Sequence, residues 1–193
     1  MTKQRKVTFF LTGIFLTALF AIIIGLIEQG RWDHAQNIAV KACVWLIYTF
    51  FEVKYNIQLS NYTRLIVITV LFCDSFVGLY LNLYVTSTIF DKILHVFGSY
   101  AFSLFAYTLI CKLTHPAINQ AFRFLFVISL GLSIGAIYEI SEFIGDLIFQ
   151  PSAPSQPSLL DTDLDLIADA IGSLIAAIHI VVAVSFNLGY FLK

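Results

Sequence analysis

The chain has 193 residues, 59% of them hydrophobic and 12% charged, with a net charge of −1 and a mean hydropathy of +0.88. These values exclude a soluble domain with a solvated polar surface, and no nucleic-acid partner is expected. An all-α polytopic membrane bundle remains, forming one domain over 1–193 with the lipid bilayer as its direct partner.

A hydrocarbon core of about 30 Å takes about 20 helical residues to cross. The first run of that kind lies near 7–27 behind Lys3, Arg5 and Lys6, and it reads as an uncleaved span: it is longer than a signal h-region and no small-x-small site follows. A weaker run, 38–51, carries Lys41 near its start and Glu52 at its end, and counts as a second span if Lys41 snorkels toward the headgroups. The third, 65–84, holds Asp74 near its middle, a depth that calls for a proton, a hydrogen bond or water. Cys43, Cys73 and Cys111 show no CxxC spacing and read as packing residues.

The fourth run, 93–111, opens with DKILH, which sets Asp91 and His95 one helical turn apart. In the fifth, 122–144, the positions Gly131, Gly135, Glu139, Glu142 and Asp146 fall on one helical stripe. A Pro/Ser-rich connector over 147–163 reads as a flexible outer loop, and the sixth run, 164–186, continues from it. There Asp161, Asp165 and Asp169 lead to Gly172 and Ala176, with His179 beyond. Small residues four apart allow close helix approach, so the Gly131/Gly135 stripe is expected near Gly172 and Ala176.

An N-in/C-in orientation puts Lys3, Arg5, Lys6, Lys54, Arg64, Lys112, Arg123 and Lys193 on the cytoplasmic side and only Arg31, Lys41 and Lys92 outside. The three acidic stretches then meet at the outer face. Carboxylates gathered there cannot all stay ionised without protons, a metal cation or a cationic ligand. Blander readings stand beside this one. Asp161 and Asp163 suit a helix N-terminus, the glutamates suit interhelical bonds, and His95 suits packing. A path from Asp74 to His179 is a further, weaker possibility.

The stretches FDKILHVFGSYAF, YEISEFIGD and DTDLDLIADAIGSLIAA resemble the YjdF-like bacterial inner-membrane family over roughly 28–180. Asp91, Lys92, His95, Glu139, Glu142, Asp161, Asp165, Asp169 and Gly172 carry the resemblance, and the longer QPSAPSQPSLL loop departs from it. A looser similarity reaches the VanZ-like proteins, linked to altered glycopeptide susceptibility. The resemblance implies a multi-pass protein of the bacterial plasma (inner) membrane and supplies no reaction.

Three functional readings follow. In the first, Glu139, Glu142, Asp165 and Asp169 bind a divalent cation (Mg²⁺, Mn²⁺, Ca²⁺ or Zn²⁺) with Asp91 and His95 as acid/base pair. Asp146, Asp161 and Asp74 support them, and the substrate is a lipid or lipid-linked envelope precursor. No organic cofactor is indicated, and the motifs of CDP-alcohol transferases and of nucleophile elbows are missing. In the second, the same acids serve a proton- or cation-coupled transporter or an envelope-stress factor. In the third they latch helices together, with other membrane proteins as partners.

Overall fold

A computed structural model describes residues 3–57, 59–114, 117–150 and 154–188. Lys193, counted above among the cytoplasmic basic residues, lies outside them. The elements are α1 (Lys3–Glu28), α2 (Trp32–Lys54), α3 (Asn61–Phe72, continued as a π-helical Cys73–Tyr80), α4 (Leu83–Thr86), α5 (Phe90–Thr114), α6 (Gln120–Phe149) and α7 (Leu159–Ser185). No strand occurs among the described residues.

Local chemistry sets the helix starts. Ser60, Asn119 and Ser158 are extended residues whose side-chain oxygens accept from the amides of Thr63 (3.1 Å), Phe122 (2.8 Å) and Asp161 (3.2 Å), satisfying N–H groups that a helix start leaves open. Left-handed Gln150 (φ 45°) ends α6, so the connector shrinks from the expected 147–163 to the residues between Phe149 and Leu159. Left-handed Asn82 (φ 64°) likewise breaks the third span at Tyr80, short of the expected 84. Tyr84 folds back in α4, its ring seated where a Cβ on Gly78 would overlap it.

Two packed groups result. Phe15, Leu19, Leu26, Ile38, Trp45 and Val67 form a core between α1, α2 and α3, while Leu104, Tyr107, Val127, Ala176 and Ile180 form another between α5, α6 and α7. The helix ends are tied as well. At one end Gln4 and Arg5 donate to the carbonyls of Leu59 (3.0 Å) and Val53 (3.2 Å); at the other, Arg31 donates to the Tyr80 carbonyl (3.2 Å) and to Asn82 (3.1 Å). α2 therefore runs the full thickness of the bundle.

Among the described residues, five helices are long and apolar enough to cross a membrane: α1, α3 with its π-helical extension, α5, α6 and α7. α2 is long but less apolar, and two of its charges, Lys41 and Glu52, are paired inside the bundle. Glu52 binds Arg64 of α3, both buried, and Lys41 binds Asp74. Lys41 therefore does not snorkel: an ammonium within reach of a buried carboxylate gains more from that pair than from the headgroups. Cys43, on the same helix, is exposed on the outer surface of the bundle and is not a core packing residue.

Candidate functional site

α5 descends from the end at which α6 finishes and α7 starts, so Asp91, Lys92, His95, Glu139, Asp161, Asp165 and Asp169 come together from three helices. The glycines allow this approach. A Cβ on Gly135 would strike the Asp169 side chain, and one on Gly131 would strike Ser173 and Ser103, so both face α7 and Gly131 also faces α5. Gly172 instead faces the α5 backbone at Val96 and Tyr100, and the small-residue contact is shared among three helices rather than between two.

His95 lies at the centre, 8% exposed, with Glu139, Asp165 and Asp169 at 4%, 1% and 2%. Its Nδ1 is 3.3 Å from Asp169 Oδ1. Its Nε2 is 3.6 Å from Glu139 Oε1, 3.7 Å from Asp91 Oδ1 and 3.8 Å from Asp165 Oδ1, all beyond hydrogen-bond length. The other oxygen of each of these three carboxylates is held by a donor. Lys92 Nζ binds Asp91 Oδ2 (3.0 Å) and Asp165 Oδ2 (2.8 Å), and Gln156 Nε2 donates to Glu139 Oε2 (2.8 Å) and to the Glu139 carbonyl (2.8 Å). Glu139 Oε1 and Asp165 Oδ1 are buried with no hydrogen-bond partner. Below them Ser99 and Ser173 both donate to the Asp169 carbonyl (2.9 and 2.6 Å).

The sequence matches the family described as "Predicted membrane protein (DUF2238)" over 7–185. The chain belongs to that family. It is also 34% identical over 125 residues to an uncharacterized protein of Thermotoga maritima, a match covering 65% of this chain and 64% of the relative's length. No solved structure matches. The membrane family is thereby supported; a likeness to VanZ-like proteins is not.

In this DUF2238 protein the geometry distributes the expected roles differently. Asp91, His95 and Asp165 bring ligand atoms close enough together to share an ion, and Glu139 approaches His95 Nε2 from α6. Asp169 takes the far ring nitrogen of His95, and Asp161 takes Lys92. Glu142 stands further out, among neither His95's nor Lys92's contacts. Asp146 caps the connector, accepting from the amides of Ser155 and Gln156 (2.9 Å each). Asp74 is spent on Lys41 and on the Tyr84 hydroxyl, which donates to it at 2.8 Å. Burial and that carboxylate hold the Tyr84 hydroxyl well above its usual range, so it remains a donor. His179 bonds the Tyr100 hydroxyl at 2.6 Å, on helices other than those that hold Asp74.

Gln156 was illegible in the sequence, because it sits in a stretch whose composition reads as a loose linker. The fold ties Ser155 and Gln156 down through Asp146 and Glu139, and 151–153 of the expected connector lie outside the described residues.

The glycine contact gives a direct prediction. Gly135→Ala is expected to lower stability by about 1–3 kcal/mol, because the new methyl meets the Asp169 side chain beside His95. Thermal unfolding in detergent measures it, with Gly145→Ala, whose Cβ meets nothing within 4 Å, as the neutral comparison.

Proposed function

We propose that this DUF2238 protein is a YjdF-like protein of the bacterial inner membrane, N-in/C-in, whose outward acidic end binds one divalent cation. One observation carries the reading: three carboxylate oxygens from three helices surround His95 Nε2 at 3.6–3.8 Å, two of them buried and unpartnered. Ligands around one ion at about 2.0–2.6 Å stand roughly 3–4 Å from each other; each of the three oxygens stands that far from His95 Nε2, and Asp91, His95 and Asp165 also lie close enough to one another to share an ion. When His95 is neutral with its Nδ1–H donated to Asp169, the Nε2 lone pair faces those oxygens, and the repulsion is relieved by a cation between them or by a second proton on the ring. Charge agrees. Asp91, Glu139, Asp161, Asp165 and Asp169 are five carboxylates against Lys92 and, when it is doubly protonated, His95, and buried negative charge is retained only when compensated. An imidazole among the oxygens suits Zn²⁺ or Mn²⁺ better than Mg²⁺ or Ca²⁺.

The substrate we propose is a lipid or lipid-linked envelope precursor. The helix tips beside the site are apolar, with Phe149, Leu159 and Leu160 at 80%, 76% and 68% exposure, so a molecule held in the membrane surface meets the site directly. A bound cation there would polarise a phosphoryl group or activate water.

Titration of detergent-purified protein with Zn²⁺ and Mn²⁺ tests the reading. One ion per chain is expected, and Asp165→Asn or Glu139→Gln should weaken it at least tenfold while the unfolding temperature without metal changes little. Absence of any binding or thermal shift would overturn it. Variants that bind nothing because they fail to accumulate would favour the latch.

Cation or proton passage is a second reading, favoured by His95, Ser99, Ser103 and Tyr107 following one another along the buried face of α5. The Tyr107 hydroxyl accepts from Arg123 Nε at 2.8 Å near the opposite end. Proteoliposomes that hold an imposed gradient would exclude it.

A further inference from the structure

Lys92 approaches the same carboxylates as the proposed cation, but from the other side. Asp91 and Asp165 each direct Oδ1 at His95 Nε2 and Oδ2 at Lys92 Nζ, while Asp161 meets Lys92 through Oδ1. Two carboxylates thus bridge two positions, one facing His95 Nε2 and one filled by an ammonium. Carboxylates that offer one oxygen to each of two neighbouring cations are the framework of two-metal sites, whose ions lie about 3.5–4 Å apart.

Resting on the cation reading above, we propose that the site is a two-cation centre whose second cation is the tethered Lys92 ammonium. An ammonium has three donors, and Asp91, Asp161 and Asp165 take all three. None is left for an anionic substrate, so Lys92 is a positioning residue and not a phosphate clamp. Its charge holds Asp91 and Asp165 in place before any metal arrives, and it limits the centre to one exchangeable ion. Removing the charge while keeping the fold opens a second position, lined by Asp91 Oδ2, Asp165 Oδ2 and Asp161 Oδ1.

Mn²⁺ titration with electron paramagnetic resonance reads the number of ions and their coupling. Wild-type protein should bind one Mn²⁺ with the spectrum of an isolated ion, and Lys92→Arg, which keeps the charge, should do the same. Lys92→Gln should bind two, with the spectrum of an exchange-coupled pair. One ion in Lys92→Gln beside one in wild type overturns this proposal and leaves the cation reading intact; no ion in wild type overturns the cation reading itself. Should Lys92→Gln accumulate only when Mn²⁺ is added to the growth medium, the ion is replacing the ammonium, in support of the proposal. Failure to accumulate even with added Mn²⁺, while Lys92→Arg accumulates normally, overturns it.

Discussion

Arg64→Met is expected to destabilise the bundle by about 3–5 kcal/mol, because it leaves the Glu52 carboxylate buried without its cation. Arg64 has no exposed surface and Glu52 is 3% exposed, so water cannot replace the lost partner. The comparison that gives this meaning is the double variant Glu52→Leu/Arg64→Met. Replacing both members of a buried pair with apolar groups of similar size is often neutral, so the double variant should recover most of the loss. Recovery will be incomplete: the Leu59 amide donates to Glu52 Oε1 at 3.1 Å, and losing that acceptor leaves a buried N–H unpaired, at about 1–3 kcal/mol. Thermal unfolding of wild type, both single variants and the double variant in one detergent measures the cycle. A double variant no more stable than Arg64→Met would show that the pair does not act as a unit.

Gly172→Ala should be the most damaging small substitution on α7. Its Cβ would enter the Val96 carbonyl oxygen of α5 and come within 3.0 Å of the Tyr100 amide nitrogen. Both obstacles are backbone, and neither can rotate aside as a side-chain tip would. The whole helix must move. Overpacking of this kind typically costs about 1–3 kcal/mol, and a rigid obstacle puts Gly172→Ala at the upper end. His95 is next to Val96 in sequence, and Asp169 is three residues before Gly172 on α7. Moving α7 off α5 therefore also separates Asp169 from His95, so cation affinity and unfolding temperature should fall together. Unchanged cation binding in a destabilised Gly172→Ala variant would show that the glycine contact and the site are independent. Gly13→Ala, which meets nothing within 4 Å, provides the baseline.

The two substitutions also show where a sequence-only reading reaches and where it stops. Gly172 lay on a small-residue stripe, so close helix approach was legible, but the stripe gives no partner, and α5 rather than α6 turned out to receive it. In the sequence Arg64 counts only as a cytoplasmic basic residue and Glu52 as the acid that ends the second run. Their burial depends on how α2 and α3 rotate against each other, and a one-dimensional charge count does not contain that rotation. α2 is harder to recognise as a full leg of the bundle for the same reason, since Lys41 and Glu52, which dilute its apolarity, are neutralised by residues on another helix.

Within the site, the membrane class, the approximate helix positions and the gathering of Asp91, His95, Glu139, Asp165 and Asp169 at one end were set by the sequence alone. Those features follow from local quantities: the length of apolar runs against bilayer thickness, and the 3.6-residue period that aligns side chains four apart. Tertiary structure decided which oxygen of each carboxylate faces His95 and which is held by Lys92 or Gln156. It also decided that Asp74 turns away to Lys41 and Tyr84, and that the Pro/Ser connector is fastened over Glu139. Each of these depends on the rotation of a helix about its own axis and on the path of a connecting segment. Packing between residues far apart in the chain fixes both, and no local pattern records them.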